Sequence, residues 1–313
     1  MRSDAPLTKS KRLWPTADPR SIRLDRRVLP AIGRLSNFVA GRIVTPLMLM
    51  AWLVTAPAAW PADVFLGRPQ TDASPPLSAF RHDAWTGLLN RYVDDIGGVD
   101  YRRWHDDGTE ELDDYLDRLS IVRADDDATA NDRMAFWINA YNAITIRGIL
   151  REYPTDSIRN HTAKFFGYNI WEDLRLRVSD TWTLDGSAPS LDEIEHQILR
   201  PMGDFRIHFA IVCAARGCPW LRREAYEADT LDRQLNAAGK SFFARPENFS
   251  IDDTTLQLSP ILKWFAEDFG DTERQRLRSI AAFLSDDQRG KLKPTSDVRY
   301  STYDWSLNES RSP

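Results

Sequence analysis

The sequence predicts an α+β fold, a helix-rich single domain around a small β-sheet. Several stretches repeat apolar residues at the spacing of amphipathic helices, whereas only short stretches alternate apolar and polar residues as strands do. Apolar residues make up 42% of the chain, which is enough for a sizeable core, and there are no internal repeats. The mixed pattern, with more helix than strand, places this domain at about residues 80–309.

The N-terminal segment, residues 1–62, is predicted to be a basic leader followed by a secretory signal or a membrane anchor. Residues 1–42 are rich in Arg and Lys, and residues 43–62 form a mostly apolar run without charge. Within that run, Ala-Pro-Ala at 56–58 fits the small-x-small rule for signal cleavage. The run is slightly short for a spanning helix, and an uncleaved anchor is the alternative. Either way, we expect the folded part to be exported, periplasmic or membrane-anchored facing the periplasm.

The predicted elements follow in order along the chain. Residues 63–79, rich in Pro, Ser and Ala, are predicted to be a linker. Helices are predicted over residues 80–97, 109–122, 132–153, 190–201, 218–243, 261–269 and 274–285. Strands are predicted over residues 173–178, 181–184, 206–214 and 298–308, with a hairpin over 249–259. The helix over 190–201 begins at a capping box formed by Ser190 and Glu193.

Both cysteines of the chain lie in "RIHFAIVCAARGCPWLRREAY", residues 206–226. The near-continuous apolar run over 206–214 predicts a buried strand that ends beside Cys213. Because Pro219 favours the first helical position, Cys218 is predicted at or near a helix N-cap. The free N–H groups and the dipole of that helix would lower the pKa of the thiol. Many cysteine nucleophiles are placed in this way, after a buried strand and at a helix start.

His208 lies in the same predicted strand. Strand alternation turns it away from Cys213, although it can approach Cys218 after the turn. It is therefore a candidate general base for Cys218. The alternative is a core histidine that bonds a backbone carbonyl.

Glu195 and His196 form a second candidate pair on the helix over 190–201. Helical spacing places Glu195 on the apolar side of that helix, with His196 beside it. A carboxylate facing the core is costly unless it is paired. The pair is either part of a site, or Glu195 forms a buried ion pair, for example with Arg147 or Arg206.

Asn139 and Asn142 are three residues apart in the otherwise apolar helix over 132–153, so they project from neighbouring positions. Two amides in such a helix need partners if they are buried. They can orient a histidine or bind a substrate amide. Interhelical hydrogen bonding is the alternative.

Two further arrangements of the cysteines stay open. His196, His208, Cys213 and Cys218 would make a Cys₂His₂ set, but their spacing matches no established zinc motif. A Cys213–Cys218 disulfide is geometrically allowed across the turn. It would close a very short loop and add little chain-entropy stabilisation, which favours a redox or protective role over a structural one.

Several stretches resemble the domain-of-unknown-function 547 family. They are "AFWINAYNAITIRGIL", "LDEIEHQILR", "RIHFAIVCAARGCPWLRREAY", "LSPILKWFAEDF" and "YDWSLN", in the family's order, and they cover about residues 80–309. Members of the family include bacterial exported proteins, and related domains occur with other modules in plant and animal proteins. The resemblance therefore agrees with export and implies no particular reaction.

Three functional hypotheses follow. The first is a thiol-dependent hydrolase or acyl transferase with a cysteine nucleophile, a histidine base and an orienting amide or carboxylate. Its candidate catalytic residues share polar side chains in otherwise apolar elements: Cys218, His208, His196, Glu195, Asn139 and Asn142. The second is a non-catalytic exported binding domain with a local disulfide and a groove lined by aromatic residues. The third is a small structural zinc site.

The partners are constrained only in class. A net charge of −5 without a global basic excess argues against nucleic acid. A small-molecule or peptide ligand of unknown identity is expected, and no cofactor is predicted. Contact with a membrane is expected only through an uncleaved N-terminal segment.

Overall fold

The computed structural model describes residues 63–68, 74–161, 169–180, 182, 187–252, 255–292 and 297–310. The predicted leader and signal or anchor lie outside these residues, as does most of the strand predicted over 181–184. Within the described part of the chain, no helix combines the length and apolar character needed to cross a membrane. The predicted α+β class is confirmed, because the described chain combines many helices with two small sheets.

The N-terminal half of the domain is helical. Its helices are α1 (Asp83–Tyr92), α2 (Tyr101–Asp107), α3 (Thr109–Ser120) and α4 (Ala130–Glu152). The predictions for α1, α3 and α4 are confirmed, whereas α2 was not predicted. Asp100 caps α2 by accepting a hydrogen bond from the backbone of Arg103. Helix α4 begins at a capping box of Thr129 and Asp132, and it is buried on nearly all sides. It is therefore the central helix of the fold.

Two small sheets join distant parts of the chain. The strands are β1 (Val64–Leu66), β2 (Leu174–Leu176), β3 (Phe249–Asp252), β4 (Thr255–Leu258) and β5 (Asp297–Tyr300). Strand β1 pairs in parallel with β2, so the stretch predicted as a linker contributes a strand to the domain. Strands β3 and β4 form the predicted antiparallel hairpin, and β5 adds to β4 in parallel.

Six of the seven remaining helices in the described residues are eight residues long or shorter. The seven are α5 (Ile170–Asp173), α6 (Leu191–Glu193), α7 (Leu231–Ala244), α8 (Ile261–Trp264), α9 (Ala266–Phe269), α10 (Glu273–Ile280) and α11 (Asp286–Lys291). The predicted capping box of Ser190 and Glu193 is present at α6. Beyond α6 the backbone continues as a π-helix over Ile194–Leu199 and as a 3₁₀ turn over Arg200–Met202. Since Pro201 has no backbone N–H, an α-helical hydrogen-bond series cannot extend through it.

The strand predicted over residues 206–214 is wrong. Phe205–Phe209 form a 3₁₀ helix, and the chain then runs irregularly to Cys218. A short apolar run fits a buried helical turn as well as a buried strand, and periodicity does not separate the two. Here the backbone groups that a sheet would pair are bonded by a side chain instead, because the Asn142 amide bonds Ala210 and Val212.

The helix predicted over residues 218–243 is half wrong. A 3₁₀ turn over Ala228–Thr230 leads into α7, which begins only at Leu231. The preceding residues are irregular, so Cys218 does not lie at a helix N-terminus. The expected lowering of its pKa by a helix dipole therefore has no structural basis.

Candidate functional site

Asn139 and Asn142 both bind backbone. Asn139 donates to the Tyr226 carbonyl at 2.8 Å and accepts from the Tyr226 N–H at 2.9 Å. Asn142 donates to the Ala210 carbonyl at 3.0 Å and accepts from the Val212 N–H at 2.9 Å. Both amides are buried, and each uses its nitrogen and its oxygen in a hydrogen bond. They hold irregular backbone against α4, which is a structural role like the interhelical alternative but with partners that are not helical.

The two cysteines form a disulfide, Cys213–Cys218, with 6.1 Å between their α-carbons. Both residues are buried. The Cys213 backbone N–H donates to Cys218 Sγ at 2.9 Å. The Tyr303 hydroxyl donates to Cys218 Sγ at 3.0 Å and lies 3.2 Å from Cys213 Sγ. Cys218 is thus the sulfur with two donors directed at it.

The Arg245 side chain binds the loop between the cysteines. Its guanidinium donates to the Cys218 carbonyl at 2.7 Å and to the Arg216 carbonyl at 2.6 Å. Its third contact is an ion pair with Glu247, and the Arg245 side chain is only 7% exposed. A buried, positively charged side chain therefore holds the backbone of this loop in place.

The C-terminal segment covers the other side of this loop. The backbone N–H groups of Arg216 and Gly217 donate to Ser306 and Asp304. A Cβ at Gly217 would lie 2.9 Å from the Tyr303 ring, so glycine allows this close approach. Sequence reasoning did not assign Tyr303 a role. The available signal was its place at the start of "YDWSLN".

His208 lies beside Asp268 in the structure. Its Nε2 is 2.7 Å from Asp268 Oδ2, and its ring stacks on Phe265 with 4.1 Å between centroids. Burial lowers the pKa of His208, and the hydrogen bond with Asp268 opposes that shift. The alternative expectation of a carbonyl-bonded core histidine is right about burial and wrong about the partner.

Arg200 links His208 to His196 through Asp268. Arg200 donates to both carboxylate oxygens of Asp268, at 2.6 and 2.8 Å, and its Nη1 lies 3.0 Å from His196 Nδ1. Burial opposes ionisation of Asp268, but the hydrogen bonds from His208 and Arg200 outweigh it and lower the pKa to about 2. Burial lowers the pKa of His196. Asp268 is thus an ionised carboxylate that binds His208 and Arg200, and Arg200 in turn contacts His196.

Glu195 is buried, as expected, but its predicted ion pairs are wrong. Arg147 bonds Asp113, and Arg206 bonds acidic side chains of its own. The partner of Glu195 is the Tyr141 hydroxyl, at 3.1 Å. Burial raises the pKa of Glu195 to about 8, against the effect of the Tyr141 hydrogen bond. Glu195 therefore holds its proton at neutral pH.

A Cys₂His₂ zinc site does not form in this state of the protein. The two sulfurs are bonded to each other, so neither offers a thiolate to a metal. In the described ranges, no group of three or more His, Cys, Asp or Glu side chains is arranged to hold a metal ion.

A groove of about 380 Å³ lies against the disulfide loop. Its wall includes residues on both sides of Cys218, the capping tyrosine and a tryptophan: Gly217, Pro219, Trp220 and Tyr303. Arg245 lies beneath Trp220, with its guanidinium 5.5 Å from the ring centroid. The loop that the disulfide closes is thus also part of a concave surface.

The fold and this site define a helix-rich α+β domain with a buried disulfide beneath a groove. Residues 126–243 match the model of a family described as "Protein of unknown function, DUF547", which confirms the predicted resemblance over that stretch. The matched stretch holds α4, both cysteines and every candidate residue named from the sequence, whereas Asp268 and Tyr303 lie beyond it. The chain matches no curated protein and no solved structure at a significant level.

Proposed function

We propose that this protein is an exported, non-catalytic binding domain that takes a small-molecule or peptide ligand in the groove beside its disulfide. The observation that carries the proposal is the buried Cys213–Cys218 bond, which closes the loop that forms one wall of the groove. Disulfides persist in oxidising compartments outside the cytoplasm. The apolar N-terminal run supports the same compartment.

The lining of the groove supports binding. Ligand pockets are concave and largely apolar, with a few polar groups that fix orientation. Here Trp220 and Tyr303 supply aromatic surface, and Asn248, Thr302 and Asp304 supply polar groups of the lining. At about 380 Å³ the groove suits a small molecule or one or two side chains of a peptide.

A thiol-dependent hydrolase or acyl transferase is the second candidate. One observation favours it: Glu195, His196, His208 and Asp268 carry shifted pKa values in one connected region. Against it, Cys218 is bonded to Cys213, and the hydrogen bonds found for His208 and His196 lead to Asp268 and Arg200. Catalysis by Cys218 would require the disulfide to open first.

Two measurements test the binding proposal. The full chain is expressed in a bacterial host with a periplasm, fractionated, and analysed by mass spectrometry without reductant. We expect a non-cytoplasmic protein with a closed disulfide. The purified protein is then screened against metabolite and peptide libraries by thermal shift, with hits confirmed by calorimetry.

The Trp220→Phe variant identifies the groove as the binding site, and Trp182→Phe is its control, because Trp182 does not line the groove. We expect Trp220→Phe to weaken binding about tenfold, because the smaller ring loses contact area and the indole N–H, and Trp182→Phe to leave binding unchanged. A cytoplasmic protein with free thiols, or ligands whose affinity ignores Trp220, would contradict the proposal. Hydrolysis of an ester or thioester only after reduction would support the enzyme instead.

A further inference from the structure

We infer that Cys213 and Cys218 form a reversible dithiol–disulfide couple, in which Cys218 carries the thiolate when the pair is reduced. The inference is independent of ligand binding in the groove. The two sulfurs have different surroundings, and this difference decides which of them ionises.

Two hydrogen-bond donors are directed at the Cys218 sulfur. Cys218 Sγ receives the Cys213 N–H at 2.9 Å and the Tyr303 hydroxyl at 3.0 Å. A neutral disulfide sulfur is a weak acceptor, whereas a thiolate is an anion, and hydrogen bonds to ionised groups are roughly twice as strong as neutral ones. The two donors therefore gain most when Cys218 is reduced and ionised.

A positively charged side chain also lies beside Cys218. Burial alone would oppose a thiolate, so the surroundings must compensate. The buried guanidinium of Arg245 donates to the Cys218 carbonyl, and since its ion-pair partner Glu247 is largely exposed, part of its positive charge remains uncompensated beside Cys218. Burial also raises the pKa of Tyr303 far above its usual range, which keeps its hydroxyl protonated as a donor. Among the described residues, the hydrogen-bonding neighbour found for Cys213 Sγ is the Tyr303 hydroxyl, at 3.2 Å.

The loop that the disulfide closes is short and lies beside the groove. The bond spans five positions in the sequence, so it closes a short loop that contributes little chain-entropy stabilisation. The groove reaches Gly217, Pro219 and Tyr303, which flank and cap Cys218. The groove thus reaches the residues that surround the bond, and a small thiol needs only a local opening of this short loop to reach the buried sulfurs.

The exchange uses a small monothiol of the glutathione class as reductant. Its thiolate attacks Cys213 Sγ, the Cys213–Cys218 bond breaks, and Cys218 leaves as the stabilised thiolate. A second monothiol attacks the sulfur of the first in the mixed disulfide, which releases Cys213 as a thiol. Two monothiols lose two electrons and become one disulfide, while the protein gains two electrons. One proton goes to Cys213 and one to solvent. The sulfur with the lower pKa leaves faster, so attack at Cys213 is favoured.

Redox titration tests reversibility in the folded protein. The full chain is equilibrated in glutathione buffers of graded ratio, starting from oxidised and from reduced protein. Samples are quenched with acid, alkylated and quantified by mass spectrometry. We expect both directions to reach the same reduced fraction while circular dichroism shows a folded protein. A bond that opens only when denaturant is added would overturn the inference.

Alkylation rates test which sulfur is the thiolate. The variants Cys213→Ser and Cys218→Ser each leave one thiol, which is labelled with iodoacetamide across pH 5–10. We expect Cys218 to ionise at least one pH unit below the ordinary value of about 8.5, and hence to label about tenfold faster than Cys213 at pH 7. Faster labelling of Cys213, or a Cys218 that resists labelling at every pH in the folded protein, would overturn the assignment.

Tyr303→Phe in the Cys213→Ser background separates ionisation from access. We expect labelling of Cys218 to slow several-fold at pH 7 and to stay unchanged at pH 10, where the thiol is ionised in either case. Tyr300→Phe is the matched control, because Tyr300 contacts neither sulfur and should change neither rate. Equal slowing at both pH values would mean that Tyr303 only shapes the site, and the inference would fail.

Discussion

Replacing Glu195 with Gln should make the protein less sensitive to alkaline pH. Burial raises the pKa of Glu195 to about 8, compared with 4.5 for an exposed glutamate. The folded state therefore holds a proton that the unfolded chain releases above pH 4.5. The stability that this proton contributes is fully present below pH 4.5 and is lost as the pH rises through 8.

The size of the effect follows from the same two values. Each pH unit inside that window changes the free energy of unfolding by at most about 1.4 kcal/mol. Across the window from 4.5 to 8 the carboxyl group then contributes on the order of 5 kcal/mol of pH-dependent stability. The groups that act on Glu195 are the Tyr141 hydroxyl, the carboxylates of Asp192 and Asp268, and the Arg200 guanidinium. Gln keeps the shape and the acceptor for Tyr141 but cannot ionise.

Urea unfolding at half-unit steps from pH 5 to 9 measures the prediction. We expect the parent protein to lose stability with a steeper slope than Glu195→Gln, and the variant to be the more stable protein above pH 8. The difference between the two proteins removes the contribution of other titrating groups. Glu172→Gln, at an exposed carboxyl, is the control and should follow the parent. Parallel pH profiles for the parent and Glu195→Gln would refute the reasoning.

Three further predictions concern the supports of the site. Asn142→Ala should lower the free energy of unfolding by about 2–4 kcal/mol, because two buried backbone groups lose their partner, whereas the exposed Asn131→Ala should change it little in the same urea assay. Gly217→Ala should lower the melting temperature, because the new Cβ would meet the Tyr303 ring at 2.9 Å. Gly87→Ala is the control, since the space around that position is open. Equal melting temperatures for the two variants would contradict this account of the close approach. Asp268→Asn should lower the free energy of unfolding by about 1–3 kcal/mol in the same urea assay, because Arg200 and His208 lose their bonds to an ionised carboxylate. Because the pKa of Asp268 is lowered to about 2, its contribution is present above pH 3.8 and is lost as the pH falls toward 2, so the gap between parent and variant should close in acid.

Local signals predicted the elements whose ends are set by neighbouring residues. The capping box at Ser190 and Glu193 fixed a helix start correctly, since both hydrogen bonds lie within one turn. The hairpin over 249–259 was predicted from alternation and is present as the antiparallel pair of β3 and β4. Such features need only a few consecutive residues, which is why a single sequence carries them.

The site depended on contacts that no local pattern contains. Tyr303 reaches Cys218 across 85 residues, and Asp268 reaches His208 across 60. The irregular path after Phe209 is stabilised by asparagine amides on α4 at long range. The sequence therefore indicated which polar residues stand in apolar surroundings, and it could not indicate how they pair.

The segment Tyr303–Ser310 joins parts of the chain that are made at very different times. Its backbone bonds Val99, Asp156 and the loop at 214–217. During synthesis these three regions leave the ribosome long before the segment that connects them. The groove can therefore be completed only after nearly the whole described chain has been made, and shorter nascent chains expose an unfinished cysteine loop to whatever thiols surround them. Until this C-terminal segment has been made and has docked, the cysteine loop lacks the backbone contacts that cover it.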